Sequence, residues 1–282
     1  ADELSSPDQR GKDLISTGLK VLTWNIWWRY GPWKERERRL IETIRKLDPD
    51  LVCLQEVWRE GAEDQAQLLG AALGLKAAFA EAEPRPGEIG FGNAILSRWP
   101  IVKEAVRPLP PAPSDGSGGR IALFAEIDGP RGRIGAFSTH LSWKHAESGY
   151  RQAQVRELCR FVDENKLENY PPIICGDFNA EPDAREVQMM TGADSPVVEG
   201  LAFIDVWRYA APDDPGLTWD NRNEFVARTL EYDRRIDYIF VGEPTDRNLG
   251  LGHPLSCRVA GNELIDGMYP SDHFAVMAEL RY

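Results

Sequence analysis

Apolar residues follow two rhythms along this chain: short strand-like runs, and longer stretches at helical spacing. Leu19-Lys20-Val21-Leu22-Thr23-Trp24-Asn25 alternates like a half-buried strand. Asp50-Leu51-Val52-Cys53-Leu54-Gln55-Glu56 is apolar throughout its centre, as in a strand covered on both faces. Between them, residues 34–47 carry helical periodicity through Leu40, Ile44 and Leu47 and end before Asp48-Pro49. The run Glu35, Arg36, Glu37, Arg38, Arg39 reads as a solvated helix face. Further helices fit 62–73, closed by Gly74, and 150–165. Strands fit 76–80, 93–97, 101–106, 121–127 and 133–139. Residues 108–119, rich in Pro, Gly and Ser, read as a mobile loop rather than a domain linker.

The strand ends carry the chemistry. In Cys175-Gly176-Asp177-Phe178-Asn179-Ala180, after Ile173-Ile174, a carboxylate and a carboxamide stand two positions apart, a spacing that aims both the same way on a strand. Gly176 would let the backbone come close to whatever they hold. The pair suits a hard cation or an attacking water. The first strand ends in Asn25 and the second in Glu56. Gly135-Ala136-Phe137-Ser138-Thr139-His140 ends in an imidazole. Asp237 opens the apolar run of Arg235-Ile236-Asp237-Tyr238-Ile239-Phe240-Val241, and Ser271-Asp272-His273 precedes the last strand. Each alone fits a turn, a cap or a solvated end. Together they read as one site.

In this order the segments Thr23-Trp24-Asn25, Leu54-Gln55-Glu56, Ser138-Thr139-His140-Leu141, Gly176-Asp177-Phe178-Asn179, Arg235-Ile236-Asp237-Tyr238 and Ser271-Asp272-His273 resemble the endonuclease/exonuclease/phosphatase superfamily. Asn93 in Gly92-Asn93-Ala94-Ile95 resembles that family's mid-chain strand. The likeness runs from Trp24 to His273. It implies an α+β fold, a four-layer α/β/β/α sandwich of two mostly antiparallel sheets flanked by helices. Residues 1–18 would form an N-terminal tail and 19–282 the catalytic domain.

Glu56 is the first choice of metal ligand, because Mg²⁺ needs few protein carboxylates and keeps several waters. The resemblance adds Asn25 and Asp272 on the metal side, and Mn²⁺ would suit the same oxygen-rich site. Asp177 and Asn179 would orient the attacking water and the phosphate. Asp237 and His273 would form an acid–base dyad, the carboxylate fixing the imidazole tautomer. His140 would donate to the phosphate or the leaving group. The residues leave open whether Asp177 or His273 takes the proton of the water.

Composition narrows the substrate. The 282 residues are 42% hydrophobic and 28% charged, enough for a substantial core. No apolar run nears the roughly 20 residues that span a bilayer. No signal-peptide pattern opens the chain at Ala1, so the expected compartment is cytoplasmic; the start without Met leaves secretion after processing open. Cys53, Cys159, Cys175 and Cys257 lack the spacing of a zinc or disulfide framework. The net charge of −12 argues against a duplex-gripping nuclease, which needs Lys and Arg for phosphate contacts. The densest late basic group, Arg222, Arg228, Arg234 and Arg235, is interrupted by acids. Trp27-Trp28, Trp143-Lys144-His145 and Trp219-Asp220-Asn221-Arg222-Asn223 are candidate substrate-facing segments. The expected activity is therefore Mg²⁺-dependent hydrolysis of a phosphate ester by a monomer. The favoured substrate is a small or lipid-derived phosphodiester, with a DNA or RNA nuclease as the alternative.

Overall fold

Side-chain alternation along the strands sorts this protein into layers. On β1 (Gly18–Asn25), Leu19 and Val21 enter one core cluster while Leu22 and Trp24 enter another. On β2 (Leu51–Glu60), Leu51 and Cys53 part from Val52 and Leu54 in the same way. The structure, a computed structural model, describes residues 17–84, 87–116, 118–244 and 250–282. Residues 1–16 of the expected tail lie outside it, and Gly18 already belongs to β1.

The remaining strands in chain order are β3 (Glu63–Asp64), β4 (Lys76–Glu81), β5 (Gly90–Ser97), β6 (Ile101–Leu109), β7 (Arg120–Gly129), β8 (Gly132–His140), β9 (Ile173–Asp177), β10 (Phe203–Asp205), β11 (Asp237–Gly242), β12 (Pro254–Ala260) and β13 (Ala275–Arg281). One sheet has the order β12-β13-β1-β2-β5-β4, with β3 beside β2; the other has the order β10-β11-β9-β8-β7-β6. Only the pairs β1–β2 and β8–β9 run parallel among these neighbours. The first sheet is covered outside by α1 (Trp33–Leu47) and α2 (Gln65–Leu73), through Leu40, Ile44, Ala66 and Leu69. The second is covered by α3 (Ser148–Asn165) and α4 (Arg185–Thr191), through Val155, Leu158, Val187 and Met190. This is the four-layer sandwich that the sequence resemblance implies.

Between the sheets the packing changes character along the strands. One end is apolar: Leu19, Val21, Leu51, Cys53, Ile134, Ala136, Ile173, Cys175, Ile239 and Val241. Two residues further on, the same inward rows become Thr23, Gln55 and Ser138, all buried. Gln55 Nε2 donates across the gap to Ser138 Oγ at 3.2 Å, and Ser138 Oγ donates to the Leu54 carbonyl at 3.1 Å. One step further the rows end in Asn25, His140, Asp177 and Asp237. The apolar end anchors the sandwich, and the polar end holds the functional groups.

Three local expectations change. Arg36 and Arg39 are buried rather than solvated, at 1% and 8% exposure. Arg36 continues the Leu40–Ile44 stripe at four-residue spacing, so α1 turns it inward with the apolar residues. Residues 108–119 are tethered instead of loose. Pro108 and Leu109 belong to β6, and Asp115 accepts from Ala112 N, Arg120 Nε and Ser142 Oγ, each at 2.8 Å; Ser117 lies outside the described residues. Gly176 serves the neighbouring strand rather than a ligand, because a Cβ there would stand 2.1 Å from the Thr139 carbonyl oxygen.

Gly176→Ala must therefore push β9 off β8. It should cost about 3 kcal/mol, the upper range for overpacking, seen as a lower denaturant midpoint with unchanged slope. Wild-type stability in this variant would show that the close approach is not required.

Candidate active site

The polar ends of both sheets meet in a cleft of about 460 Å³ lined by Glu56, Asp177, Asn179, Asp272, His140 and His273. Strand register builds half of it. His140 lies opposite Asp177 across β8–β9, and Asp237 lies opposite Asp177 across β11–β9, so three functional groups form one row. From the facing sheet Asn25 reaches over, and its Nδ2 donates to Asp177 Oδ2 at 3.0 Å and to Glu56 Oε1 at 3.0 Å. Its Oδ1 accepts from Trp27 N at 3.0 Å.

Two members are placed by backbone irregularities that break strand alternation. Simple parity would send Glu56 outward with Val52 and Leu54. A β-bulge between Leu54 and Val57, with Glu56 at φ 56°, turns the carboxylate into the cleft instead. Asn179 lies beyond β9 at φ 49°, its N–H donating to Asp177 Oδ1 at 2.9 Å and its Nδ2 to the Leu141 carbonyl at 2.9 Å. A left-handed turn, and not the two-residue strand repeat, therefore sets Asn179 beside Asp177.

Asp272 and His273 come from the loop before β13, which is pinned from several sides. Ser271 Oγ donates to the Asn25 carbonyl at 2.7 Å, and Trp24 Nε1 donates to the His273 carbonyl at 2.9 Å. Asn223 Nδ2 donates to the carbonyls of Ser271 at 2.7 Å and Asp272 at 3.1 Å. His273 Nδ1 then meets Asp237 Oδ2 at 2.9 Å, and its Nε2 points to Asp177 Oδ2 at 3.6 Å. His140 Nε2 approaches the same oxygen at 3.4 Å and Glu56 Oε1 at 3.9 Å. All eight predicted site residues thus belong to one cluster.

Electrostatics distinguishes the two imidazoles. Burial, the Arg120 cation and then His273 hold His140 well below the ordinary histidine range. Burial would also lower His273, but Asp237 and Asp177 outweigh it and hold the ring well above that range. Burial, with Asp237 adding to it, pushes Asp177 up to about 7 against the pull of His273 and Asn25. Burial and Glu56 do the same to Asp272, against His273 and Arg36. Such crowded carboxylates call for a cation. Glu56 Oε2 is buried without a hydrogen-bond partner, and the oxygen donors around it suit a hard divalent ion. Asp177, Asp237 and His273 also offer ligand atoms within 4.8 Å of one another. There the His273–Asp237 contact uses Asp237 Oδ2, while Asp237 Oδ1, like Glu56 Oε2, is buried without a hydrogen-bond partner.

Three supporting residues carry no signal of their role in the sequence: Arg36 and Arg120, and Asn223, which lies in a candidate substrate-facing segment but holds a loop instead. Arg36 donates to five backbone carbonyls, those of Ile26, Trp27, Trp28, Tyr30 and Pro270, at 2.8–3.1 Å. It thereby fixes the loop in which Trp27 and Trp28 sit at left-handed φ and line the cleft. Arg120, buried against Asp115, brings Nη1 to 2.8 Å from His140 Nδ1. Asn223 clamps the Asp272 loop. Buried Arg and Asn look like surface residues in sequence, and only their partners reveal them. Of the aromatic candidates, Trp143 is exposed at the cleft wall, Trp219 is buried edge-on to His273 at 5.0 Å, and His145 stands outside, 3.6 Å from Glu231.

Comparison with known proteins agrees with this fold. The model of the Endonuclease/Exonuclease/phosphatase family matches residues 22–273. The chain belongs to that family. Its relatives are phosphoesterases, and dependence on a divalent metal is general among them. Over 261 residues the chain is 26% identical to nocturnin of Xenopus laevis, covering 89% of this chain and 65% of that protein. Over 306 residues it is 28% identical to the inositol phosphosphingolipids phospholipase C of Schizosaccharomyces pombe, covering 92% and 67%. The chain thus spans about two thirds of the length of these two relatives. Among solved structures, D. rerio TDP2 complexed with single strand DNA product shares the fold, with a TM-score of 0.75 and 23% identity over 95% of this chain and all of that one. Among the described residues no helix is long and apolar enough to cross a membrane.

Arg36→Met would leave five carbonyls without their donor in a buried place. A loss of about 3–5 kcal/mol is expected, as when one partner of a buried charge network is removed, read by chemical denaturation. Native stability would mean that the loop holds itself.

Proposed function

We propose that this protein is a Mg²⁺-dependent phosphodiesterase acting on a small or lipid-derived substrate. The observation that carries the reading is the convergence of Asn25, His140 and His273 on Asp177 Oδ2, at 3.0, 3.4 and 3.6 Å, beside the unpartnered Oε2 of Glu56. Glu56 and Asp272, with Asn25 as neighbour, would hold the ion. When bound, Mg²⁺ would supply charge neutralisation for the phosphate and the developing leaving oxygen. Mn²⁺ fits the same oxygen donors.

The side chains divide the rest of the work. Asn25 and Asn179 fix the Asp177 carboxylate from two sides, which leaves that carboxylate oriented toward an attacking water. Asp237 holds the His273 ring by Nδ1, so Nε2 faces the cleft as the proton-carrying atom. His140, kept neutral by burial and by Arg120, can donate a hydrogen bond to a phosphate oxygen without bringing a second imidazolium into the cluster.

The walls bear on the substrate. Trp27, Trp28, Tyr30, Phe91, Trp143 and Trp219 line the cleft beside the acidic cluster. Its two lining arginines, Arg120 and Arg234, are buried and paired with Asp115 and Glu231. That arrangement suits a compact headgroup next to an apolar or aromatic moiety better than a long polyanion. Similarity to a phosphosphingolipid phospholipase C supports the same direction.

Hydrolysis of bis-p-nitrophenyl phosphate by the purified chain should be stimulated by Mg²⁺ and abolished in Asp177→Ala. Plasmid nicking at low salt without diester turnover would replace this reading by the nuclease. Glu56→Gln should raise the Mg²⁺ concentration for half activity at least about tenfold, the loss seen when even an outer partner of a metal site is removed; an unchanged titration would take Glu56 out of the ligand set.

His273→Ala should cut turnover roughly a hundredfold or more, the contribution of a general acid–base group. Near-wild-type kcat at saturating substrate would remove the Asp237–His273 dyad from the mechanism.

A further inference from the structure

The cleft has a second polar feature that the hydrolytic cluster does not use. Trp219 and Arg234 face each other across an isolated antiparallel bridge, with Trp219 N donating to the Arg234 carbonyl at 3.0 Å and Arg234 N to the Trp219 carbonyl at 2.8 Å. Residues opposed in this way send their side chains to the same face. Both side chains line the cleft, and both are more than nine-tenths buried, at 9% and 6% exposure. Each carries a buried donor with no partner, Nε1 of Trp219 and Nε of Arg234. Two adjacent unmet donors on neighbouring side chains are costly to keep. The ring of Trp219 packs on His273 and in a small cluster with Val226 and Ile236, and the charge of Arg234 is met by Glu231; none of these contacts uses either free donor.

Donors alone, one of them cationic, define what fits. The two unmet groups can only donate, so a ligand atom that meets them must be an acceptor. An oxyanion brings only acceptors, and the guanidinium edge matches phosphate oxygens. The resident Glu231 shows the preference, since its carboxylate already binds the Nη2 of Arg234. Glu231 sits in an exposed turn, after Leu230 at φ 60° with 94% of its surface open, and its outer contact is His145 Nε2 at 3.6 Å. The carboxylate is a tethered stand-in on a segment held by Asn221, whose Nδ2 donates to the Glu231 carbonyl at 2.9 Å.

We propose that Trp219 and Arg234 form a subsite for a second phosphate group of the substrate, next to His273, with Glu231 as the competing internal anion. The inference rests on the phosphodiesterase reading and deepens it: the substrate is a phosphodiester that carries another phosphoryl group. Trp219 Nε1 and Arg234 Nε donate to that group, and Glu231 yields the guanidinium terminus to it.

Binding tests this without turnover. Calorimetry on the full chain compares thymidine 3′,5′-bisphosphate with thymidine 5′-monophosphate, which differ by one phosphate. The wild-type protein should bind the bisphosphate about tenfold or more tightly, as a charge-assisted pair of hydrogen bonds provides. Arg234→Gln should bring the ratio to about one, and Trp219→Phe, which keeps the ring but loses the donor, should lower it about threefold or more. Glu231→Gln should raise it, since the competing carboxylate is gone. A wild-type ratio near one, or a ratio unmoved by Arg234→Gln, would overturn the subsite. Failure of the phosphodiesterase reading is read separately, as absent bis-p-nitrophenyl phosphate hydrolysis in a protein that still prefers the bisphosphate.

Discussion

Negative charge packed onto largely buried carboxylates in one cleft is the constraint around which this molecule is organised. Glu56, Asp177, Asp237 and Asp272 come from four separate segments, and three of them are at least nine-tenths buried. Carboxylates so placed repel one another and lose hydration, which is why Asp177 and Asp272 rise to about 7. The groups around them answer that cost. Asn25 bridges Glu56 and Asp177, His273 is held as a cation-favouring ring by Asp237 and the same Asp177, and Arg36 lies close enough to lower Asp272. Buried oxygens of Glu56 and Asp237 that no side chain satisfies remain within this hydrogen-bond network, in a family whose members generally depend on a divalent metal.

The sandwich makes such crowding tolerable by grading its interior. A cluster of small charged groups could not exist midway between two apolar sheets. It exists here because each inward row passes from aliphatic side chains through Thr23, Gln55 and Ser138 before reaching the acids. The aliphatic end supplies burial energy, in the order of 25 cal/mol for each Å² withdrawn from water, and fixes the sheets against each other. Rigidity then passes along the strands to their polar ends, where groups from both sheets are held within about 4 Å of one another. Loops that bring Trp27, Trp28 and Asp272 are secured by buried polar anchors, Arg36 and Asn223, because they have no ladder of their own.

Much of this is legible in residue patterns. The positions of α1, α2, α3 and most long strands follow from periodicity, whereas α4, β10 and β12 give no such signal, and α2 ends at Gly74 in the left-handed conformation that a C-terminal glycine signals. The candidate site residues stand where apolar runs stop, so the order of motifs suggests convergence. Other features mislead. Arg36 within a run of charges looks solvated, yet its position on the Leu40–Ile44 stripe turns it inward. The Pro- and Gly-rich segment before β7 looks loose, yet Asp115 ties it to Arg120 and Ser142. Gly176 looks like a ligand-facing glycine, yet a neighbouring strand occupies the space.

The amino-acid sequence by itself determined which residue types stand at the ends of the strands, because alternation and helical spacing are local properties that need no partner. It also determined the acidic balance and the family to which the motif order points. Only the tertiary structure decided how these groups are aimed. A bulge rotates Glu56, a left-handed turn delivers Asn179, and a bridge sets Trp219 opposite Arg234. Each depends on a neighbour distant in sequence. The energy of a buried polar atom is set by whatever lies against it, and that contact is not written in the order of residues.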